Sequence, residues 1–172
     1  MKKLSRILTI TTLSMTTAAF TAAAFAASPA QDMPNYALTD SSSYAVSKSL
    51  IVNGQKLDMQ PLQLNGCLLV PARAVSDALG FTTTWNAAEQ AVTITGPYMK
   101  TTQYLGVDFS SAVTTIPGAV GMTTPTSFGA APILVHNTAY VPVEIFKIIQ
   151  GNEPDALTIS DTAIELKTIA HK

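Results

Sequence analysis

The sequence predicts an α+β fold: an antiparallel sheet with two short helices packed on it, built from an imperfect duplication of a hairpin–helix unit. Three observations carry this expectation. Residues 62–80, LQLNGCLLVPARAVSDALG, recur at 133–151 as ILVHNTAYVPVEIFKIIQG. A shift of 71 positions lays Pro61 on Pro132, Leu64 on Val135, Val70-Pro71 on Val141-Pro142 and Gly80 on Gly151. Each copy changes from alternating apolar residues to helical spacing at its Val-Pro pair. Each then stops at a glycine placed to act as a left-handed C-cap.

The elements follow in order. Residues 27–43 mix Pro, Ser and Asp without periodicity and read as a flexible leader, so order is expected to begin near Tyr44. Residues 44–52 form a strand ending at Asn53-Gly54, a two-residue hairpin signal, with 55–59 as the returning strand. The first copy of the repeat supplies a strand, the Asn65-Gly66 turn and a second strand into Val70-Pro71. Pro71 cannot donate to a ladder, but its fixed φ suits the first turn of a helix. Val75, Ala78 and Leu79 give that helix one apolar face, which needs a sheet to lie on. Residues 81–85 and 91–95 are strands around a turn at 86–90.

Gly96-Pro97 separates pseudo-repeats 44–95 and 98–169 of one domain spanning 44–172. Residues 98–107 can continue the sheet. Residues 108–131, rich in Thr, Ser, Gly and Pro, are either a mobile loop or an extended hairpin. The second copy follows with the His136-Asn137 turn, Val141-Pro142 and a helix carrying Ile145, Phe146, Ile148 and Ile149. Two strands around Ser160-Asp161 close the chain. This half has no counterpart of Trp85 and carries the insertion.

Composition bounds the function. At 47% hydrophobic and 12% charged residues, the 172-residue chain has the composition of a globular protein. Lys2, Lys3 and Arg6 precede an apolar, Ala- and Thr-rich run ending in Ala24-Phe25-Ala26, so residues 1–26 read as a signal peptide; the small-residue exit suits cleavage better than a retained anchor. Its removal takes three of ten positive charges and leaves seven against eleven acids, a formal charge of about −4. Such a chain has no basic footprint for nucleic acid, and no later stretch is long and apolar enough to span a membrane. The mature protein is expected to be secreted, extracellular or cell-wall associated.

Candidate chemistry is sparse. Cys67 is the only cysteine, which excludes an internal disulfide; within an apolar strand it reads as a small buried hydrophobe, the alternative being a reactive or intermolecular thiol. His136, in a turn, and His171, in the tail, are the only histidines, and no HxH, HExxH or CxxC pairs the soft donors. Glu153 and Asp155 flank Pro154 as a solvated acidic turn. There is no GxSxG elbow, and GAVGMTTPTSFG lacks the Lys of a phosphate loop. Arg73 reads as an exposed or ion-paired helix residue that could reach the sheet or a partner, and Trp85 as a core or half-core residue. No catalytic, cofactor-binding or metal-ligating residue is therefore assigned.

Asn53-Gly54, NGCLLVPARAVSDALGFTTTW and AAPILVHNTAYVPVEIF together give the sequence a family likeness. Over residues 49–169 it resembles the copper amine oxidase N-terminal-like, or stalk, domain of secreted bacterial proteins. The matching pieces are the Asn-Gly turns, Leu69-Val70-Pro71, Arg73, Leu79-Gly80 and Trp85. The resemblance implies a small antiparallel sheet packed on helix, used as an exported accessory module; the copper of the name belongs to the amine oxidases' catalytic domain. Cys67 and Glu144 depart from the pattern and take no family role. The expected function is a secreted, non-catalytic binding or structural module whose partner is an unidentified protein or cell-envelope ligand. The alternatives are an accessory or inhibitor protein that binds a protein partner through 108–131, and an uncharacterised hydrolase or oxidase.

Overall fold

Short runs of two to six residues between tight turns set the architecture, because each turn signal ends a strand before it can lengthen. The computed structural model describes residues 36–38 and 40–170; the expected signal 1–26, residues 27–35 of the leader and His171 lie outside the described residues. Strand β1 is Ala37–Leu38. Strands β2 (Ser49–Val52) and β3 (Gln55–Leu57) close around Asn53-Gly54, whose φ angles of 49° and 79° are the left-handed pair a tight hairpin turn requires. Strands β4 (Leu62–Leu64) and β5 (Cys67–Pro71) close the same way around Asn65-Gly66.

Pro71, at φ −66°, stands one position before helix α1 (Ala72–Leu79). Gly80 ends that helix at φ 77°, with its N–H on the Asp77 carbonyl and the Phe81 N–H on Ser76 O at 2.8 Å. Strands β6 (Thr82–Asn86), β7 (Ala91–Thr95), β8 (Met99–Tyr104) and β9 (Ala112–Thr114) then form a meander. Strands β10 (Ile133–Val135) and β11 (Thr138–Pro142) form the second hairpin, followed by helix α2 (Ile145–Ile148) and by β12 (Leu157–Ile159) and β13 (Ala163–Leu166).

The α+β class holds, with strand predominating, but the expected single antiparallel sheet is corrected. Among the described residues the strands form three small sheets, ordered β1-β10-β11-β5-β4, β12-β13-β2-β3 and β6-β7-β8-β9. Two pairings are parallel, β1 with β10 and β13 with β2. Strands this short cannot make one wide sheet that covers both helices. They wrap a common core instead, and a strand from the far end of the chain completes the sheet begun by β2.

Two further expectations change. Helix α2 is one turn that begins at Ile145, because Pro142 still pairs with Leu69 and the Val143 N–H reaches Leu68 O at 3.0 Å, which keeps the chain in the sheet past the proline. Pairing also starts ahead of Tyr44: Ala37 and Leu38 lie in register with Leu134 and Val135.

The two helices share one core. Val75 and Leu79 of α1 and Ile145, Phe146 and Ile149 of the α2 region lie in the same buried cluster as Leu50, Val70, Ile94, Val141 and Ile164. A smaller cluster around Leu62, Cys67, Leu69, Ile133 and Tyr140 fills the opposite face of the five-stranded sheet, so every residue of β5 is buried. The central pair of that sheet sets Val70 against Val141, flanked by Pro71 with Tyr140 and Leu69 with Pro142. Val70 and Val141, 71 positions apart, thus lie directly opposite each other in the sheet.

Candidate functional site

Beside this central pair an open cleft of about 380 Å3 forms where helix α1, strands β6 and β7 and the β10–β11 hairpin meet. Helix α1 brings Ala72 and Arg73, because the fixed backbone of Pro71 starts the helix at the end of β5. Strand β6 sends Thr83 and Trp85 inward together, since alternate residues of a strand share a face; Thr82, Thr84 and Asn86 are exposed. Val92 stands opposite Trp85 on β7. The β10–β11 hairpin supplies the remaining wall with Leu134, Asn137, Thr138 and Ala139.

The cleft is apolar at its base and polar at its rim. Trp85 is half-buried and packs on the main core. Arg73 is exposed and has no hydrogen bond or ion pair with a described residue. The Thr83 hydroxyl is cut off from solvent without a hydrogen-bond partner. A cation and an aromatic face beside an apolar floor can bind and orient an anionic ligand. No nucleophile–base pair stands among the described residues that line the cleft.

The other candidates do not converge on this cleft. Cys67 is 5% exposed, and burial, followed by the charges of Glu144 and Asp108, pushes its thiol up to about 12, which makes it an inert thiol at neutral pH. His136 is exposed at φ 46° in the β10–β11 turn, and its charge helps lower Asp40 after the dominant hydrogen bonds from Ser42. Glu153 and Asp155 sit at a 3-10 turn over Pro154–Ala156. Glu144 is partly buried, with one carboxylate oxygen lacking a partner, and burial raises its pKa.

The 108–131 segment is an ordered excursion closed at its base by Asp108. That carboxylate accepts from Ser127 Oγ, Phe128 N (2.8 Å) and Gly129 N (2.9 Å). Burial raises its pKa, but these hydrogen bonds outweigh burial and hold it below the usual carboxylate value. Bridges Ser110–Thr126 and Val113–Met122 pair the two arms. Below them buried Gln103 donates to Thr101 Oγ1 at 2.8 Å and accepts from Ser110 Oγ at 2.9 Å.

Arg73 and Trp85 were legible in the sequence as residues worth attention; Thr83 and Asn137 were not. Two-residue alternation could have put Thr83 beside Trp85, but no local signal brings the distant Asn137 turn to them.

The fold is that of a small, β-rich α+β domain with an open cleft on its surface. The chain belongs to the copper amine oxidase N-terminal domain family, whose model matches residues 51–153, a non-catalytic part of those enzymes. No curated protein and no solved structure matches it. The copper of the family name finds no fit: among the described residues no three His, Cys, Asp or Glu side chains come together as ligands. No helix among the described residues is long and apolar enough to cross a membrane.

Proposed function

We propose that the protein is a secreted, non-catalytic binding module of the cell envelope or its exterior, built from two copies of the hairpin–helix unit. The observation that carries this reading is the Arg73–Trp85 cleft, a preformed hollow whose cation has no partner, and whose lining has no nucleophile–base pair, among the described residues. Lys2, Lys3, Arg6 and the small-residue exit at Ala24-Phe25-Ala26 support export. The Val70–Val141 pairing of residues 71 positions apart supports the duplication. The partner is a protein or a cell-envelope ligand.

The protruding excursion favours a second reading, a protein-docking accessory or inhibitor role for 108–131: Phe109, Ile116, Val120 and Met122 are all exposed there. Intact mass of protein from the culture medium is expected to start near Ala27, and cross-linking at the cell surface is expected to retain a partner. Recovery only as a full-length, membrane-bound chain refutes the proposal.

A further inference from the structure

Among the described residues every sheet edge but one is short. Strands β1, β3, β4, β9 and β12 have two or three residues each, and bridges from Ala45 to Leu62 and from Met122 to Val113 cover parts of β4 and β9. The exception is β6, an edge of five residues without charge, proline or bulge. The neighbouring hairpin fixes which of its backbone groups are free. Gly96 N–H reaches Met99 O and Leu105 N–H reaches Gln90 O, each at 2.9 Å, so Val92 and Ile94 are the β7 residues that exchange hydrogen bonds with β8. Ala91, Thr93 and Thr95 therefore turn toward Asn86, Thr84 and Thr82. The N–H and C=O of Thr83 and Trp85 point out of the sheet, and no hydrogen bond from a described residue reaches them.

We propose that two copies of this chain associate by antiparallel pairing of their β6 edges about a two-fold axis at Thr84. In that register Thr83 of each copy stands opposite Trp85 of the other, and all the outward donors and acceptors are matched. Centring on Thr83 would call on the Phe81 N–H, already given to Ser76 O at 2.8 Å, and centring on Trp85 runs past the end of the strand. The outer face agrees with the backbone. Thr84 lies in register with Thr93, and Thr93 with Thr102, whose hydroxyl is 2.9 Å from that of Thr93. Thr84 against Thr84 continues this threonine row across the axis.

Charge favours a second copy over an unrelated strand. Helix α1 runs antiparallel to β6, with Arg73 beside Trp85 at the cleft and Asp77 next to the Gly80 cap that leads into Thr82. Both charged side chains are exposed and have no partner among the described residues. The two-fold sets the Trp85 end of one copy against the Thr83 end of the other, and so Arg73 toward Asp77 of the second copy. One strand pair makes a small interface, so the dimer is weak and reversible. The inference goes beyond the binding-module reading and does not depend on it.

Sedimentation velocity of the mature chain from about 1 µM to about 1 mM is expected to show a monomer–dimer equilibrium. Thr84→Lys keeps the backbone bonds to Thr93 and puts two like charges on the axis. Its dissociation constant should rise about tenfold or more with unchanged circular dichroism. Thr84→Cys should give a covalent dimer under oxidised glutathione, because the Thr84 pair is of the closely spaced, non-hydrogen-bonded kind; Thr124→Cys, on the exposed excursion, should not. Arg73→Glu should weaken the dimer, and adding Asp77→Arg should restore it; both changes suit the helix dipole, so the fold is kept.

A chain that stays monomeric up to about 1 mM overturns the proposal. So does a dimer that Thr84→Lys leaves intact, a Thr84→Cys chain that does not cross-link, or a charge swap that restores nothing. A surface partner captured by a chain that is monomeric throughout leaves the binding-module reading standing and overturns this one.

Discussion

Replacing Phe146 by Ala should destabilise the whole domain in one step. Phe146 is 0% exposed and lies in the cluster shared by α1, α2 and all three sheets. The same cluster holds Val75 and Leu79 of one helix and Leu50, Val70 and Ile94 of separate sheets, so a gap there is bounded by several elements rather than by one that could move inward to fill it. A cavity that cannot collapse falls in the upper part of the about 3–5 kcal/mol typical of Phe→Ala. Against a total of about 5–15 kcal/mol for a domain, that is a large fraction. The melting temperature should fall by roughly 10–20 °C, with a matching drop in urea midpoint at unchanged slope. Leu79→Ala should cost about 2–5 kcal/mol through the same core, whereas Thr124→Ala, at an exposed position of the excursion, should shift the midpoint by less than about 0.5 kcal/mol. Circular dichroism and Trp85 fluorescence followed through the same titration should coincide. Two separate transitions, or a Phe146→Ala loss below about 1 kcal/mol, would refute the shared-core argument.

Other outcomes follow from the same structure. Asp108→Asn keeps one accepting oxygen but removes the charge and the second oxygen of the carboxylate that closes the excursion. The native carboxyl titrates below its unfolded value, so its contribution is complete above about pH 5 and is lost as pH falls through the unfolded value toward the native one. The denaturation midpoint of the variant should therefore be flatter than the parent's across the acid range; parallel curves would rule this out. Cys67 should not react with a thiol reagent at pH 8 in the native chain and should react at once on unfolding, as expected for a thiol near 12; rapid native labelling would contradict its burial. After dialysis the protein should hold no stoichiometric copper or zinc by elemental analysis; one retained equivalent lost on His136→Ala would reverse the reading of the donor set.

Much of the local structure was legible in the chain. Asn53-Gly54 and Asn65-Gly66 announce hairpins because only left-handed backbone closes so short a turn, and Asn and Gly bear that conformation at least cost. Pro71 and Gly80 bracket α1 for equally local reasons, one through a fixed φ and a missing donor, the other through the absence of a Cβ. The apolar spacing of Val75 and Leu79, and of Ile145, Phe146 and Ile149, marks the faces that meet in the core.

What the sequence determined by itself is thus the set of pieces: turns, helix limits, buried faces and a chain poor in catalytic donors. Their assembly was decided only in three dimensions. The parallel pairing of β13 with β2, the delayed start of α2 beyond Pro142 and the hydrogen bond from Asn65 to the Gly129 carbonyl join residues far apart in the chain. So does the meeting of Arg73 and Trp85 with Asn137. No neighbouring residue encodes such contacts. Turn and cap preferences arise from sterics within a few residues, whereas strand partners are chosen by which arrangement buries the most apolar surface with every backbone donor satisfied, a property of the whole chain at once.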